Sequence, residues 1–458
     1  MHERTQRAMA RLMFVLCCAV PTFLTICVLL VTWTPWYDHA VLRKITESIA
    51  KDTGFLIEID DYDRPDPQRL ELQNLRVIDP ETHREVARVE HLTWTEVNDG
   101  VSIVLSNPQL QSSELRGAWR LIHDRFLCSS ICLSSKVRFA ASDLTIQNES
   151  GSTILQDVDA WIEPSAESTR ANIECVRSGP RRSGQRDGSG FRIEVVRDRT
   201  GAMPVTTWTM ETSDTPLPCS ALSGYSDLLG ALGTDAAFSG IVRWSRDTNG
   251  WWIDLRGSRF HDVDLASLTN TLPHSLSGKA SIAFSRGMIR PGKTIDIVGD
   301  LRAERGFVSP SLLRAFEQDL GMTVNATLNL NSNLNLNSNL NLNSASSLNS
   351  ASSLNSTLTP NPIAPHPIAP HPIAYEHLAL HFGLQGAEMT LSGKCREAEG
   401  LEGLAAGVVF YGNGQPMVMS TGVPMPAVEL TKLVAPFGSE LIPVSDKTSA
   451  MLQLLLAP

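Results

Sequence analysis

The spacing of apolar positions along this chain changes twice, and each change predicts a different element. Residues 12–34, LMFVLCCAVPTFLTICVLLVTWT, form one uninterrupted apolar run without a charged residue. A helix needs roughly 20 such residues to cross a hydrocarbon core of about 30 Å, so the run predicts a membrane span. Behind it, Leu42, Ile45 and Ile49 recur at three- and four-residue spacing up to Gly54, which predicts one amphipathic helix with a glycine stop. From Phe55 the period becomes two. Phe55, Ile57 and Ile59 alternate with Leu56, Glu58 and Asp60, followed by Leu70 and Leu72, then Leu75 and Val77 after a one-residue slip at Asn74 that reads as a bulge.

The two-residue period persists through Val101–Ile103–Leu105, Val137–Phe139–Ala141, Leu144–Ile146, Val158–Ala160–Ile162, Phe191–Ile193–Val195, Trp251–Ile253–Leu255, Ala280–Ile282–Phe284 and Leu378–Leu380–Phe382–Leu384. Helical spacing returns only at residues 221–232, at 309–320 with Ser309 as a cap before Pro310, and at 427–435. The expected fold is therefore mainly β. One N-terminal transmembrane helix leads into an extended antiparallel β-rich region, a curled sheet or groove, with a few short helices.

The flanks of the apolar run bear on whether it stays attached. A cleaved signal peptide has an apolar region of about 7–15 residues and a small-x-small site, whereas this run is longer and ends in WTPWYDH. Trp33, Trp36 and Tyr37 suit the headgroup layer at its far end. Arg4, Arg7 and Arg11 on one side are balanced by Arg43, Lys44 and Lys51 on the other, so the positive-inside rule does not choose an orientation. A short N-terminal tail before a long β-rich remainder reads as an uncleaved export signal.

Composition narrows the function classes. The formal net charge of −10 gives no electrostatic reason for nucleic-acid binding. Of the eight cysteines, Cys17, Cys18 and Cys27 lie in the apolar run. Cys128, Cys132, Cys175, Cys219 and Cys395 remain, an odd set at irregular spacing that is no disulfide framework, although Cys128 and Cys132 could pair in an oxidising compartment. No nucleophile elbow, phosphate loop, H-E-x-x-H or dinucleotide fingerprint occurs. Glu376, His377 and His381, with His366 and His371 nearby, lack a visible third ligand and second shell. The carboxylates Asp60, Asp61 and Asp63, and the pair Asp262 and Asp264, read as turn residues. No catalytic, cofactor or metal site is expected, and the chain reads as non-enzymatic.

Two segments stand apart. Residues 177–190, RSGPRRSGQRDGSG, read as a basic solvated loop with headgroup contact as the functional alternative. From Leu328, LNLNSN units pass into SASSLN and then PIAPH copies, tandem repeats too short for a solenoid, which read as an expanded loop between two strands.

One resemblance organises these features. The pieces KITESIAKDTGFLIEI (44–59), RLELQNLRVIDPETHREVARVEHLTW (69–94) and VSIVLSNPQL (101–110) follow the anchor, and LSGKASIAFSRGMI (276–289) and LALHFGLQGAEMTLSGK (378–394) repeat a strand-turn-strand idiom. This order resembles the AsmA-like family, which includes TamB- and YhdP-type proteins. The resemblance covers about half of the chain, not residues 111–270, and implies a single-pass inner-membrane protein facing the periplasm. It further implies an apolar β-groove serving lipid transport or outer-membrane assembly, with membrane lipids and envelope proteins as partners. Candidate groove residues are Ile57, Leu72, Val77, Ile103, Ile146, Ile282 and Phe382, each of which also reads as ordinary core. An anchored β-rich scaffold that binds a protein, without lipid, is the alternative. The expected organisation is a cytoplasmic tail at 1–11, the anchor at 12–34, a β-rich region at 37–325, the repeat loop at 326–374 and a β-rich continuation at 375–458.

Overall fold

The computed structural model describes residues 2–32, 35–97, 100–128, 135–148, 151–177, 190–247, 250–270, 272–291, 294–328, 371–420 and 422–434. Among the described residues it is mainly β, with 53% in strands. Contacts divide the chain into two units: Met1–Gln185 with Arg192–Pro204 and Ala221–Ser226, and Arg186–Phe191 with Val205–Ser220 and Asp227–Pro458. Cys132, His366, most of the basic loop, most of the repeats and the final residues from 435 lie outside the described residues.

The first unit begins with helix α1 (His2–Phe14), a π-turn (Val15–Ala19) and α2 (Val20–Thr32). The widened turn sits directly before Pro21, whose ring lacks an N–H and would crowd the carbonyl of Cys17. Val20 N–H reaches back to the Val15 carbonyl in the five-residue step that relieves this crowding. Helix α3 (Pro35–Thr53) ends at Gly54, whose φ of 81° and bond from Gly54 N–H to the Ala50 carbonyl (2.8 Å) make the expected glycine stop.

Ten strands follow: β1 (Leu56–Glu58), β2 (Asp61–Asp66), β3 (Arg69–Ile78), β4 (Glu85–Val97), β5 (Gly100–Ser106), β6 (Gln109–Gln111), β7 (Lys136–Asn148), β8 (Gly151–Pro164), β9 (Ser168–Arg177) and β10 (Gly190–Asp198). β1 and β2 pair with β3, β3 with β4, and β4 with β5 and β6, all antiparallel. The next junction differs from the sequence expectation: β5 and β6 both run parallel to β7. A parallel neighbour needs a crossover, and helix α4 (Leu115–Ile122) with a second π-turn (His123–Leu127) supplies it. β7, β8 and β9 then continue antiparallel.

Register places Ile57, Leu72, Leu92 and Ile103 on one face, where Ile45, Ile49 and Ala50 of α3 and Ala118 and Leu121 of α4 join them in a single core. The opposite face is ionic: Arg138 grips Asp159 through two bonds of 2.8 and 2.6 Å, and Lys136 pairs with Glu163, Arg170 with Glu194 and Arg192 with Glu174. Arg199 bonds the Leu127 carbonyl (2.6 Å) and Thr169 Oγ1 (2.9 Å), tying the crossover to strand β9.

The second unit is antiparallel among its described pairings. Its strands are β11 (Val205–Pro218), β12 (Ala237–Asp247), β13 (Gly250–Asp254), β14 (Arg259–Asp264), β15 (Lys279–Arg290), β16 (Thr294–Val308), β17 (Thr323–Val324), β18 (Ile373–Gln385), β19 (Glu388–Gly393), β20 (Val408–Gly412), β21 (Gln415–Met419) and β22 (Met425–Pro426). β11 and β12 lead through β13 and β14 to β15, then β16 and β18, and β18 pairs with β19 and β20. β17, which ends four residues before Leu328, and β18 both join this network, β17 through β21. The helix expected at 221–232 is two short pieces, a 3-10 turn (Cys219–Leu222) and α5 (Asp227–Gly230). After the short α6 (Leu265–Thr269), α7 (Pro310–Gln318) is capped by Ser309, whose Oγ accepts from Leu312 N–H. It packs Leu312, Leu313 and Phe316 against Phe410 and Val418.

One device recurs at four of the slips in the alternation. Asn74, Asp157, Asp262 and Arg305 all have φ between 49° and 53°, and each falls where the ladder omits a pair. One left-handed residue reverses which parity faces the core. Thus Leu72 and Leu75, three apart, are both buried in the same cluster. Asn and Asp tolerate this conformation through local hydrogen bonding.

Candidate membrane anchor and apolar sheet face

The helical run Gln6–Leu30 spans 25 residues, and its most apolar 18-residue stretch, with a mean hydropathy of 2.6, is not buried by the rest of the protein. Leu16, Phe23, Leu24, Val28 and Leu29 all point away from the protein. Thr25 returns its hydroxyl to the Pro21 carbonyl at 2.8 Å, so the polar group in the middle of the run is internally satisfied. By length and composition this is one helix able to cross a membrane.

The second feature lies on the sheet of the second unit. Paired residues share a face, and the registers Trp208↔Trp244↔Ile253↔Ile289↔Ile295 and Phe260↔Ile282↔Leu301↔Leu380 run across it. Phe238, Phe260, Phe284 and Phe382 stack edge-to-face with centroids 5.4, 6.2 and 6.0 Å apart. Phe284 and Phe382 meet across the intervening strand because Gly299 lies between them; a Cβ there would approach Phe382 Cζ to 2.7 Å. One end of this face is sealed by α7, Phe410 and Tyr375, whose hydroxyl donates to the Ser277 carbonyl at 2.6 Å. Elsewhere it is only half-covered: Trp208, Trp244, Ile253, Phe284, Ile289, Ile297, Leu301, Leu380, Phe382 and Leu384 all keep partial solvent contact.

The seven candidate groove residues therefore divide. Ile57, Leu72, Val77 and Ile103 belong to the first unit's core, where α3 and α4 cover them. Ile146 is buried on β7, opposite Leu110 and Thr153. Ile282 and Phe382 are on the half-covered face. Nothing in residue order singles out Trp208, Trp244 and Ile297. Their shared face becomes apparent only from the register.

The polar face holds the titratable groups. His381 Nδ1 and Asp300 Oδ1 are 2.8 Å apart, and Lys394 Nζ lies 3.2 Å from the same carboxylate. His381, a candidate metal ligand by its spacing in the sequence, thus serves an ion network, while His377 lies beside the Tyr411 ring and Glu376 is exposed. Partial burial works to raise the Asp300 carboxyl, but the His381 and Lys394 hydrogen bonds and charges outweigh it and hold it below its usual range. The sign follows: a depressed carboxyl stabilises the fold above its unfolded value near about 3.9, and loses that contribution as pH falls through the folded value. Asp300→Asn is expected to lower stability at neutral pH and flatten the acid limb below about pH 4, read by thermal melts across pH; an unchanged acid limb would show the network contributes nothing.

Three of the carboxylates singled out by the sequence serve turns and a helix cap. Asp61 and Asp63 accept from the next residue's amide, and Asp264 caps α6 through Ala266 N–H. Cys175, Cys219 and Cys395 are buried, which pushes their thiols up to about 12, 12 and 11 and keeps them protonated.

A scan against protein-family models finds no match. No curated protein and no solved structure matches the chain either.

Proposed function

We propose that this chain is a single-pass, AsmA-like envelope protein, held at the inner membrane by residues 12–34, whose β-rich part faces the periplasm and binds lipid acyl chains without catalysis. The observation that carries the reading is the half-covered apolar face of the second unit. Its tryptophans, phenylalanines and branched residues expose area that costs about 25 cal/mol per Å² in water and that an acyl chain would cover. The exposed anchor helix puts the same chain beside a supply of lipid. Transport of phospholipid or support of outer-membrane assembly is the role this binding would serve.

The test uses the full chain purified in detergent. Extraction and lipid analysis should find phospholipid at a fixed stoichiometry, and Leu380→Arg with Phe382→Asp should lower that stoichiometry several-fold while the strand signal in circular dichroism is unchanged. Equal lipid content in the variant would mean that the lipid belongs to the anchor alone. A second reading, a protein-binding scaffold, draws on the first unit, where Ile57, Leu72 and Ile103 are already covered by α3 and α4. It gains if the purified chain carries no lipid beyond the annulus of its helix.

A further inference from the structure

The second π-turn gathers chemistry that residue spacing hides. In an α-helix, residues five apart point in different directions. Here the widened turn His123–Leu127 closes with Cys128 N–H on the His123 carbonyl at 2.9 Å, which stacks residue 128 over residue 123. Cys128 Sγ then lies 3.5 Å from His123 Nδ1, and Asp124 Oδ1 lies 3.0 Å from the same nitrogen. All three donor atoms fall within 4.8 Å of one another.

We infer that His123, Asp124 and Cys128 form a binding site for a divalent cation of the zinc type. The 3.5 Å between Cys128 Sγ and His123 Nδ1 matches the ion and the 3.0 Å to Asp124 Oδ1 lies close to it: metal–ligand lengths of about 2.0 Å to nitrogen and oxygen and about 2.3 Å to sulfur put tetrahedral donors roughly 3.3–3.5 Å apart. One imidazole, one carboxylate and one thiolate are the donors a borderline-soft cation prefers. The two anions neutralise the dication, and the fourth position is open to water because Asp124 and Cys128 are exposed. Binding replaces the thiol proton with the metal and releases that proton to solvent. The site is built on the crossover between β6 and β7, where Leu127 is buried and Arg199 fixes its carbonyl, so the donors start from a held turn.

The experiment titrates cobalt(II) into the full chain, in detergent and reduced by a phosphine. One equivalent should bind with a thiolate-to-cobalt charge-transfer band that zinc(II) abolishes by competition. His123→Ala and Cys128→Ser should each weaken binding by more than about 100-fold, beyond the usual effect of losing an outer-shell partner, and Cys132→Ser should leave the band in place. Circular dichroism without metal should match the wild type in all three. A wild type with no band, a band that survives His123→Ala, or one lost in Cys132→Ser would overturn the assignment, since the cation would then be absent or held by thiols elsewhere.

Discussion

A chain carrying both Leu16→Arg and Leu24→Arg is expected to leave the membrane fraction. Each arginine at the centre of a spanning helix costs about 2.5–3.5 kcal/mol on the insertion scale, and each lost leucine removes roughly a further 0.5 kcal/mol. The pair therefore imposes a penalty of about 6–8 kcal/mol. Both positions lie within the 25-residue run and face away from the rest of the protein, so no internal partner can absorb the charge. Resistance to alkaline carbonate extraction is the measurement: wild type should stay in the pellet and the variant should move to the supernatant. Retention of the double variant would show that something other than this helix holds the protein. Intact-mass measurement of the wild type separates an anchor from a signal sequence, since cleavage would remove the run.

Phe410→Ala is expected to produce the largest loss of stability from one core substitution, about 3–5 kcal/mol. Phe410 is 1% exposed, meets the Tyr375 ring edge-to-face at 5.3 Å and lies 6.0 Å from Phe316 of α7. Its ring joins β20 to β18 and to the helix that seals that end of the apolar face, so truncation leaves a cavity bordered by three elements. For a unit of this size the loss corresponds to a fall of roughly 6–20 °C in the melting transition. Phe410→Leu, which keeps most of the volume, should cost less than Phe410→Ala by at least a factor of about two. Equal effects of the two variants would mean the site collapses freely and the ring is not the link between these elements.

Local patterns are legible because they depend on neighbouring residues. The apolar run, the helix ending at Gly54, the Ser309 cap and the alternation of β5, β7, β15 and β18 all express constraints within a few residues of chain. The slip at Asn74 is also legible, since only a break in parity explains Leu72 followed by Leu75. Helix α4 is not, because LRGAWRLI is too short for its period to stand out within residues 111–270.

What residue order determined by itself was the class of protein: a hydrophobic N-terminal helix followed by β-structure, with no recognised catalytic motif. Only the tertiary structure decided which strands became neighbours. Whether β7 lies parallel to β5 or antiparallel to it depends on the crossover, and hydrogen bonds between strands are blind to sequence. Register in turn decided that Ile57 and Leu72 are covered core while Phe382 remains half-open, although the same alternation describes all three. A backbone widened by a single residue, rather than any motif, brought His123 and Cys128 together.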